Sequence, residues 1–509
     1  MSLARSWAVA LVGVKGHVVE VQAHLAEGLP GLYLTGLPDA ALGEARDRVR
    51  AAVVNSGHSW PNKRMTLGLS PAALPKRGSS FDLALAAALL AAAGDVPQIA
   101  LEELLLVGEL GLDGRTRRVT GVLPAVLAWS EKGFTRVAVP LGNLAEARLV
   151  PGIEAVGIDS LRELVHWLRT GAAPEHPEPA SVGPAAASLG DFGDVVGQAE
   201  GRTACLFAAA GGHNLLLLGP PGCGKTLLAE RLPGILPPLT LDESLEVTAV
   251  HSVAGVLPED SPLVVLPPFQ APHHGTTAVG MIGGGSGLAR PGAASLAHRG
   301  VLFLDEAPEF GRLVLDSLRQ PLESGRVSIR RVGGTADYPA RFSLVLAANP
   351  CPCGNSDRAC TCTPERRRTY LSRLSGPLLD RVDIRLTLPP VTRAALLADR
   401  GHEQSTATLA VDVARARAAA GARYAGTPWR TNADVPGTVL VRRWPIPRAS
   451  LEVAASALDR GMLTARGFGR IQRLAWTSAD LEGNEVPTRG DVGRALGMRL
   501  GDLVAGVAA

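Results

Sequence analysis

One segment limits what this chain can fold into more than any other feature. Its residues, in order, are Gly219, Pro220, Pro221, Gly222, Cys223, Gly224, Lys225 and Thr226. The apolar run Leu215 to Leu218 comes before it, and a helical pattern starts at Leu227. A glycine-rich loop between a strand and a helix binds phosphate, because its backbone N–H groups and the positive end of the helix dipole face the anion. The segment therefore predicts a nucleoside triphosphate site in an α/β sheet.

Two residues of the loop and two acidic residues after a later strand predict how the chain binds and hydrolyses the triphosphate. Lys225 would reach the β- and γ-phosphates, and the Thr226 hydroxyl would bind Mg²⁺. A second apolar run, Val301 to Leu304, is followed by Asp305 and Glu306. Asp305 is placed to hold Mg²⁺ through its hydration shell, and Glu306 to polarise the attacking water. The chain is therefore expected to bind ATP with Mg²⁺ and to hydrolyse it.

A third apolar run, Phe342 to Ala348, ends at Asn349. An asparagine after a strand is often only a turn residue. Here the strand follows the acidic pair in the chain, and the carboxyl ends of parallel strands meet at one edge of a sheet. The Asn349 amide is therefore expected to orient the water near the γ-phosphate.

Composition limits the number of domains and the kinds of partner. A chain of 509 residues is long enough for roughly two to four domains, each with its own core. The net charge is only +3, so any contact with nucleic acid must come from local basic patches. The longest apolar stretch is too short to span a bilayer, and the N-terminus lacks the pattern of a secretion signal. No membrane contact is expected, and the cytoplasm is the expected compartment.

Changes of pattern along the chain predict an α/β multidomain protein. Residues 1–168 mix strands and helices, whereas residues 169–190 are rich in Pro, Ala, Ser and Gly, which is typical of a flexible linker. Residues 191–389 repeat a strand–helix–strand pattern, which indicates a mostly parallel sheet. Residues 390–509 are predominantly helical. The predicted helices of this last segment span residues 392–400, 409–420, 449–458, 468–481 and 489–500.

Four of the six cysteines lie within one short segment: Cys351, Cys353, Cys360 and Cys362. In a reducing compartment such a cluster favours a metal site over disulfide bonds. Four thiolates can surround Zn²⁺ tetrahedrally, and they leave no open position for catalysis. The spacing therefore predicts a structural zinc site near a subunit boundary. The alternative is four reduced thiols in an ordinary loop.

The segment from Leu266 to Gly287 contains the adjacent histidines His273 and His274 and the run Gly283-Gly-Gly. Adjacent side chains are expected to point apart, and no third metal ligand is evident in the segment. A mobile loop is therefore the expectation, and a metal site is not.

The sequence around these motifs resembles that of the AAA+ ATPases, and within them the magnesium-chelatase-like group of the ComM/YifB type. The similar strings cover nearly the whole chain and include DVVGQAEGRTACLFAAAGGHNLLLLGPPGCGKT, PGAASLAHRGVLFLDEAPEF, AANPCPCG and SGPLLDRVDI. The resemblance implies a parallel-sheet AAA+ core, a helical C-terminal lid and a homo-hexameric ring. Two departures are Cys223, where a small hydroxyl residue is more usual, and Gln270, where an arginine is expected.

The resemblance also implies roles for two arginines. Arg381 matches the arginine finger that reaches into the ATP site of a neighbouring subunit, and Arg466 matches the sensor-2 arginine of the lid. A finger supplied by a neighbour changes the rate by orders of magnitude, so activity is expected to depend on assembly. Without the resemblance, either arginine would be interpreted as an ordinary surface or ion-pair residue.

A β-hairpin is predicted between Arg326 and Phe342, with Arg330 and Arg331 near its tip. In related ring ATPases such a hairpin projects toward the central channel, where the cations could contact a DNA backbone. The alternative is that the two arginines only form a solvated strand edge.

The strings PKRGSSFDL at 75–83 and GELGLDGR at 108–115 resemble the proteolytic domain of Lon. Ser80 falls near the position of the serine nucleophile, which needs an adjacent base. The position of the lysine base falls on Leu123, and Lys132 lies off register. Residues 1–168 are therefore expected to form a Lon-like α+β scaffold without peptidase activity.

Three functions remain open from the sequence. The resemblance implies a helicase or branch-migration ATPase that acts on branched or single-stranded DNA in homologous recombination during natural transformation. The second is a chelatase-type subunit that drives metal insertion into a porphyrin, although no Asp-x-Ser-x-Ser motif of a fused chelatase partner is present. The third is an ATP-dependent Lon-like protease or a nucleotide-gated scaffold, and the missing lysine argues against the protease.

Overall fold

The computed structural model describes residues 2–36, 40–74, 76, 78–176, 190–258, 262–285, 289–331, 334–354, 360–393 and 404–501. Most of the predicted linker, most of the predicted helix 392–400 and the predicted turn of the arginine hairpin at 332–333 lie outside the described residues. Within them, a mixed α/β structure with a parallel sheet and a helical C-terminal region is confirmed. No helix among the described residues is both long enough and apolar enough to cross a membrane.

The N-terminal sheet has seven strands in the order β3-β4-β2-β1-β5-β8-β9. Its strands are β1 (Ser2–Val12), β2 (Lys15–Ala26), β3 (Gly31–Thr35), β4 (Arg64–Ser70), β5 (Leu104–Leu106), β8 (Arg136–Pro140) and β9 (Glu154–Ile158), and β6 (Glu109–Leu110) and β7 (Thr116–Arg117) form a separate pair. Strands β1 and β2 pair antiparallel along their whole length. Alternate residues of β2, such as Val19 and Val21, are buried because one face of the strand packs on the core.

Five helices accompany this sheet: Ala40–Asn55, Asp82–Ala93, Val122–Ser130, Leu144–Ala147 and Leu161–Thr170. Asp82–Ala93 is apolar on every side after its first residue and is almost completely buried. A helix without a polar face is stable only inside a core, so it packs against β1 and β2 rather than lying on the surface.

The second sheet contains five strands in the order β11-β14-β17-β10-β18, and every neighbouring pair is parallel. They are β10 (Leu215–Leu218), β11 (Phe269–Gln270), β14 (Val301–Leu304), β17 (Ser343–Ala348) and β18 (Ile384–Thr387). The three strands predicted before the loop, the acidic pair and Asn349 are confirmed and are adjacent. Their side chains are apolar without alternation because both faces of the sheet are covered.

The helices around this sheet are Ala199–Gly211, Lys225–Ile235, Leu241–Ala254, Ala278–Ile282, Ala293–Leu296, Arg312–Ser317, Arg319–Ser324, Pro364–Ser372 and Gly376–Leu379. Two small antiparallel pairs join them, β12 (Gly283–Gly284) with β13 (Arg290–Pro291) and β15 (Arg326–Arg331) with β16 (Gly334–Pro339). The predicted hairpin is thus confirmed.

The C-terminal helices are Thr406–Arg423, Gly437–Arg443, Arg448–Asp459, Ala465–Glu482 and Arg489–Leu500. Their apolar side chains do not form a separate core. Leu474 and Val492 belong to the same buried cluster as Leu215 of β10 and Leu228 of the helix that follows the glycine-rich loop. This shared core fixes the C-terminal helices against the sheet.

Candidate active site

The glycine-rich loop depends on two glycines with a left-handed backbone. Gly222 has a φ of 76° and Gly224 a φ of 90°, a region that residues with a Cβ avoid. The helix begins directly after them, at Lys225. The Cys223 thiol is buried beneath the loop, where a Cβ at Gly219 would lie only 2.6 Å from its sulfur. The loop therefore turns tightly enough for several backbone N–H groups to face one anion.

Lys225 joins the loop to the neighbouring strand. Its Nζ donates hydrogen bonds to the Gly219 carbonyl at 2.7 Å, the Pro220 carbonyl at 2.9 Å and the Asn349 Oδ1 at 3.1 Å. The side chain is buried apart from a small fraction. An ammonium group on the inner side of such a loop supplies the positive charge that β- and γ-phosphates require, so the loop residues fit a triphosphate.

A hydroxyl and a carboxylate meet beside the loop. Thr226 Oγ1 donates to Asp305 Oδ2 at 3.0 Å, and the other Asp305 oxygen accepts from the Glu306 backbone N–H at 2.9 Å. Mg²⁺ prefers hard oxygen ligands and keeps several waters, so one hydroxyl and one carboxylate are a suitable protein donor set. Thr226 and Asp305 therefore fit Mg²⁺.

Glu306 has an unusual backbone conformation. Its φ is 50° and its ψ 44°, and only two other non-glycine residues among those described have a positive φ. A residue in this region costs about 1–3 kcal/mol, and such residues cluster at functional sites. The turn sets the Glu306 side chain, which is half exposed, immediately after the strand that ends at Leu304.

His274 is a contact of Glu306 that sequence reasoning missed. Its Nδ1 lies 3.6 Å from Glu306 Oε2. The expectation that His273 and His274 point apart is wrong, because their rings lie 4.0 Å from each other. The chain turns here, with the Thr276 N–H donating to the His273 carbonyl at 2.9 Å, whereas side chains alternate only in an extended strand. Among the described residues, neither histidine belongs to a group that could hold a metal ion.

The helix Pro364–Ser372 lies against the turn that follows Glu306. Arg373, directly after this helix, donates to Glu309 Oε2 at 3.0 Å. Burial and then the Glu309 and Glu306 carboxylates raise the pKa of Tyr370 to about 12, although a hydrogen bond with the Asn349 backbone and the charge of Arg373 oppose them. The neutral phenol therefore connects the helix to the strand that ends at Asn349.

Sequence reasoning did not identify this helix. The available signal was Thr363 followed by Pro364, because threonine is favoured as an N-cap and proline at the first helical position. The Thr363 hydroxyl accepts a hydrogen bond from the Arg366 N–H at 3.3 Å, as that signal predicts.

Arg381 and Arg466 lie together in a separate cluster. Arg381 forms an ion pair with Glu323, and Arg466 donates to Asp380 Oδ2 at 3.0 Å. Burial and then the charges of Arg470 and Arg466 lower the pKa of Arg381. In the part of the chain that the structure describes, no hydrogen bond or ion pair joins either arginine to the residues around the loop. The two predicted arginines thus lie close enough for their charges to interact, and neither is bonded to the loop of its own chain among the described residues.

A buried network holds the helix that carries Arg466. Asp383 accepts hydrogen bonds from His213 at 3.3 Å and from Arg470. Burial alone would raise the pKa of Asp383, but the His213 hydrogen bond and the charges of His213 and Arg470 keep that pKa well below its usual range. The network thereby fixes Ala465–Glu482 relative to the strand that begins at Ile384.

The four cysteines come together. The Cys351 sulfur lies 3.1 Å from that of Cys353 and 3.4 Å from that of Cys360, and the sulfurs of Cys353 and Cys360 are 3.6 Å apart. With Cys362, all four lie within 4.8 Å of one another. Part of the loop between the two pairs, residues 355–359, lies outside the described residues.

The arginine hairpin presents Arg330 and Arg331 on exposed positions next to its tip, where Arg331 pairs with Gly334. The hairpin also has apolar, buried residues, among them Ile329 and Tyr338, and Val14 in the turn between β1 and β2 packs against their cluster. The hairpin is therefore anchored on one side, and its cations remain accessible to solvent.

A polar cavity lies beside the N-terminal sheet. It has a volume of about 370 Å³, and Ser79, Ser80 and Glu109 line it together with Arg290. Among the described residues, no lysine or histidine forms a hydrogen bond with the Ser80 hydroxyl. Lys76, the nearest lysine in the sequence, is fully buried and donates to the Pro71 and Leu74 carbonyls, and burial lowers its pKa.

Leu123 belongs to the joint between the two sheets. It is fully buried, and its backbone N–H donates to Glu146 Oε1 at 2.8 Å. The same carboxylate oxygen accepts from the Ser252 hydroxyl, and that hydroxyl accepts from the Gly121 N–H at 3.0 Å. Ser252 lies on Leu241–Ala254, the second helix after the glycine-rich loop, and Ala249 of this helix is buried in the same cluster as Leu123. The backbone around Leu123 is thus occupied by structural hydrogen bonds.

Three family models match successive parts of the chain. Residues 191–396 match "Magnesium chelatase, subunit ChlI", residues 21–143 match "Subunit ChlI of Mg-chelatase", and residues 403–499 match "Magnesium chelatase, subunit ChlI C-terminal". Together they cover the five-stranded sheet, part of the seven-stranded sheet and nearly all of the C-terminal helices.

Similar proteins match over almost their full length. An uncharacterized protein of Mycobacterium tuberculosis is 52% identical over 502 residues, which are 98% of this chain and 99% of the relative. YifB of Escherichia coli is 38% identical over 503 residues, 98% of this chain and 97% of the relative. The competence protein ComM of Haemophilus influenzae is 38% identical over 508 residues, 98% of each chain.

Proposed function

The chain belongs to the magnesium-chelatase-like family of the ComM/YifB type, a group of AAA+ ATPases, and on that premise we propose that it is an ATP-hydrolysing ring motor that acts on branched or single-stranded DNA. One observation carries the proposal. Three adjacent parallel strands end at one edge of the sheet, and Lys225, Asp305 and Asn349 meet there. Thr226 and Glu306, which follow Lys225 and Asp305 in the chain, lie at the same edge. Open α/β sheets bind their ligands at this edge.

Each residue of this group has a separate task in the proposal. The loop N–H groups and Lys225 bind the phosphates, and Thr226 and Asp305 hold Mg²⁺. The metal ion supplies neutralisation of the charge that develops on the transferred phosphoryl group. Glu306 accepts a proton from the attacking water, and the Asn349 amide orients that water.

Assembly into a homo-hexamer completes the site in this proposal. Arg381 and Arg466 lie together, and among the described residues neither forms a hydrogen bond or ion pair with the loop of its own chain. Such an arrangement is what a finger requires if it acts on the neighbouring protomer, since it must remain outside its own site. The closing of one protomer on the next would then be coupled to hydrolysis.

The proposal that DNA is the substrate rests on two observations of different kinds. Arg330 and Arg331 are exposed beside the tip of an anchored hairpin, where cations can contact phosphates. One full-length relative is a competence protein by name. These observations support branch migration or helicase activity in homologous recombination during natural transformation, in the cytoplasm.

The N-terminal segment, residues 1–168, is assigned in this proposal to a Lon-like scaffold without peptidase activity. The core would then span residues 191–389 and the helical lid residues 390–509, with a linker at 169–190. Among the described residues no lysine or histidine forms a hydrogen bond with the Ser80 hydroxyl, which supports the loss of peptidase activity.

A second candidate is a chelatase-type subunit that drives metal insertion into a porphyrin. The names of the three matching family models favour it. The matches to YifB and ComM, which cover 98% of this chain, favour the DNA motor, because one of these two relatives is a competence protein by name.

The ATPase rate with different additives separates these candidates. A four-way DNA junction or single strand is expected to raise the rate of the wild-type chain, whereas a porphyrin is not. Arg330→Ala with Arg331→Ala should lose the stimulation but keep the basal rate. Arg326→Ala, on the same strand and also exposed, is the matched control and should keep both. Stimulation by a porphyrin and not by DNA would favour the chelatase role.

A further inference from the structure

The four clustered cysteines have a geometry that selects one kind of metal centre. A zinc–sulfur bond of about 2.3 Å in a tetrahedron gives sulfurs about 3.8 Å apart. The sulfur separations of 3.1 to 3.6 Å, with all four within 4.8 Å, are close to that value. They exceed the length of a disulfide bond, about 2.05 Å. A four-iron cluster would hold its cysteines further apart, because the cluster itself lies between them.

The first cysteine pair is continuous with the ATP site. Cys351 follows Asn349 by two residues, and Gly354 comes directly after Cys353. A Cβ at Gly354 would lie 3.0 Å from Pro221 of the glycine-rich loop and 3.9 Å from the Asn349 amide nitrogen. Gly354, the first residue after the first cysteine pair, therefore packs on the loop and lies beside the residue that is proposed to orient water.

The second pair is continuous with the helix Pro364–Ser372. Cys362 is followed by Thr363, which caps that helix. At the other end of the helix, Tyr370 is buried near Glu306, and Arg373 bonds to Glu309. The cysteine cluster is thus connected along the chain to two parts of the ATP site. The first cysteine pair leads back to Asn349, and the second pair leads to the helix that contacts the turn after Glu306.

We propose that one Zn²⁺ ion held by Cys351, Cys353, Cys360 and Cys362 positions Asn349 and the Glu306 turn for ATP hydrolysis. The inference rests on the proposed ATPase activity. The cysteines touch no substrate, so they are positioning residues. Loss of the ion would release Asn349 and the helix, whereas Lys225 and Thr226 are fixed by their own helix. Hydrolysis should therefore suffer more than ATP binding.

Metal analysis of the purified full chain tests the site itself. The wild-type chain is expected to contain one zinc per protomer, and the variant Cys353→Ser/Cys360→Ser none. These two cysteines are the less buried members of the cluster, so the variant should fold. Cys205→Ala, which removes a buried thiol far from the cluster in the sequence, should keep its zinc. Iron in place of zinc, no metal in the wild type, or full zinc in the double variant would each overturn the proposal.

The kinetics of the same variant test the positioning role. Changes around a metal centre typically cost 10- to 100-fold, so kcat for ATP should fall roughly tenfold or more while KM stays within about twofold. An unchanged kcat in the zinc-free variant, or a loss of ATP binding as large as the loss of turnover, would overturn it.

Hydrogen–deuterium exchange gives a readout that needs no ATPase activity. Without zinc, the amides of residues 349–354 and 364–372 should exchange faster, and those of Lys225–Ile235 should not. The wild-type chain could bind zinc and show this change of exchange on zinc loss, yet hydrolyse no ATP. The proposed ATPase activity would then be refuted, but the conclusion that zinc positions Asn349 and the helix would stand. Unchanged exchange at 349–354 on zinc loss contradicts the inference.

Discussion

The glycine-rich loop of the five-stranded sheet and the serine-lined cavity of the seven-stranded sheet use their polar groups in opposite ways. At the loop, Lys225 bonds to the Asn349 side chain besides two backbone carbonyls, and Asp305 bonds to Thr226, so a phosphate or a metal ion can replace these side-chain partners. At the cavity, Lys76 is enclosed by backbone carbonyls, and the N–H of Leu123 is bonded to Glu146. A serine that lines a cavity does not form a proteolytic site of the Lon type unless a lysine remains free to accept its proton.

The largest expected effect separates two roles within the loop site. Glu306→Gln should lower kcat by up to about 10⁴-fold, because it removes the general base. It should leave ATP affinity nearly unchanged, since Lys225 and Thr226 remain. Lys225→Ala should instead weaken nucleotide binding. Titration of a fluorescent ATP analogue and a phosphate-release assay measure the two quantities, and equal losses of both in each variant would refute the separate roles.

The next effect concerns the arginine cluster outside the loop. Arg381→Ala should assemble normally but hydrolyse ATP about 10³-fold more slowly, because the finger stabilises the transition state. Arg312→Ala, at an exposed arginine with only a long ion pair, is the control and should be unaffected. Mixing Arg381→Ala with Glu306→Gln chains should restore part of the turnover, since some interfaces then contain one intact copy of each residue. Failure of the mixture to recover would contradict a finger that acts across subunits.

A smaller effect tests the joint beside Leu123. Ser252→Ala removes a buried hydroxyl that bridges Gly121 and Glu146, which should destabilise the fold by about 1–3 kcal/mol. The urea midpoint, followed by the fluorescence of buried Trp129, should fall, while ATP affinity stays the same. An unchanged midpoint would indicate that the two sheets are not held together by this network.

The smallest expected effect is at the serine of the cavity. Ser80→Ala should change neither the ATPase rate nor the degradation of an unfolded protein such as casein, which is expected to be absent from the start. ATP-stimulated cleavage by the wild-type chain that disappears in Ser80→Ala would make the non-proteolytic assignment wrong.

Sequence reasoning was most successful where a residue directly follows a buried strand. The apolar runs before Gly219, Asp305 and Asn349 fix the strands, and a parallel sheet brings their carboxyl ends to one edge. The contact between Lys225 and Asn349, which are 124 positions apart in the chain, follows from that rule. The pairing of Arg381 with Glu323 does not, because nothing local specifies which acid an exposed arginine meets.

Features set by turns and by packing between elements could not be predicted in the same way. His274 approaches Glu306 only because the chain turns at His273, whereas two adjacent histidines in the sequence predict side chains that point apart. The hydrogen bond from Ser252 to Glu146 depends on how the parts of the chain that contain the two sheets pack against each other. The helix Pro364–Ser372 is predictable from the sequence, because its Thr-Pro start is a local signal. The contact of Arg373, after this helix, with Glu309 is not predictable in this way.

The most direct test of the ring motor is the turnover per chain measured against assembly state. The wild-type protein would be diluted through its assembly range with ATP, Mg²⁺ and a four-way DNA junction present. Mass photometry would give the fraction of hexamers and a phosphate-release assay the rate at each concentration. Turnover is expected to rise in step with the hexamer fraction and to be nearly absent in monomers. Full turnover by a monomeric chain under the same conditions would contradict the account.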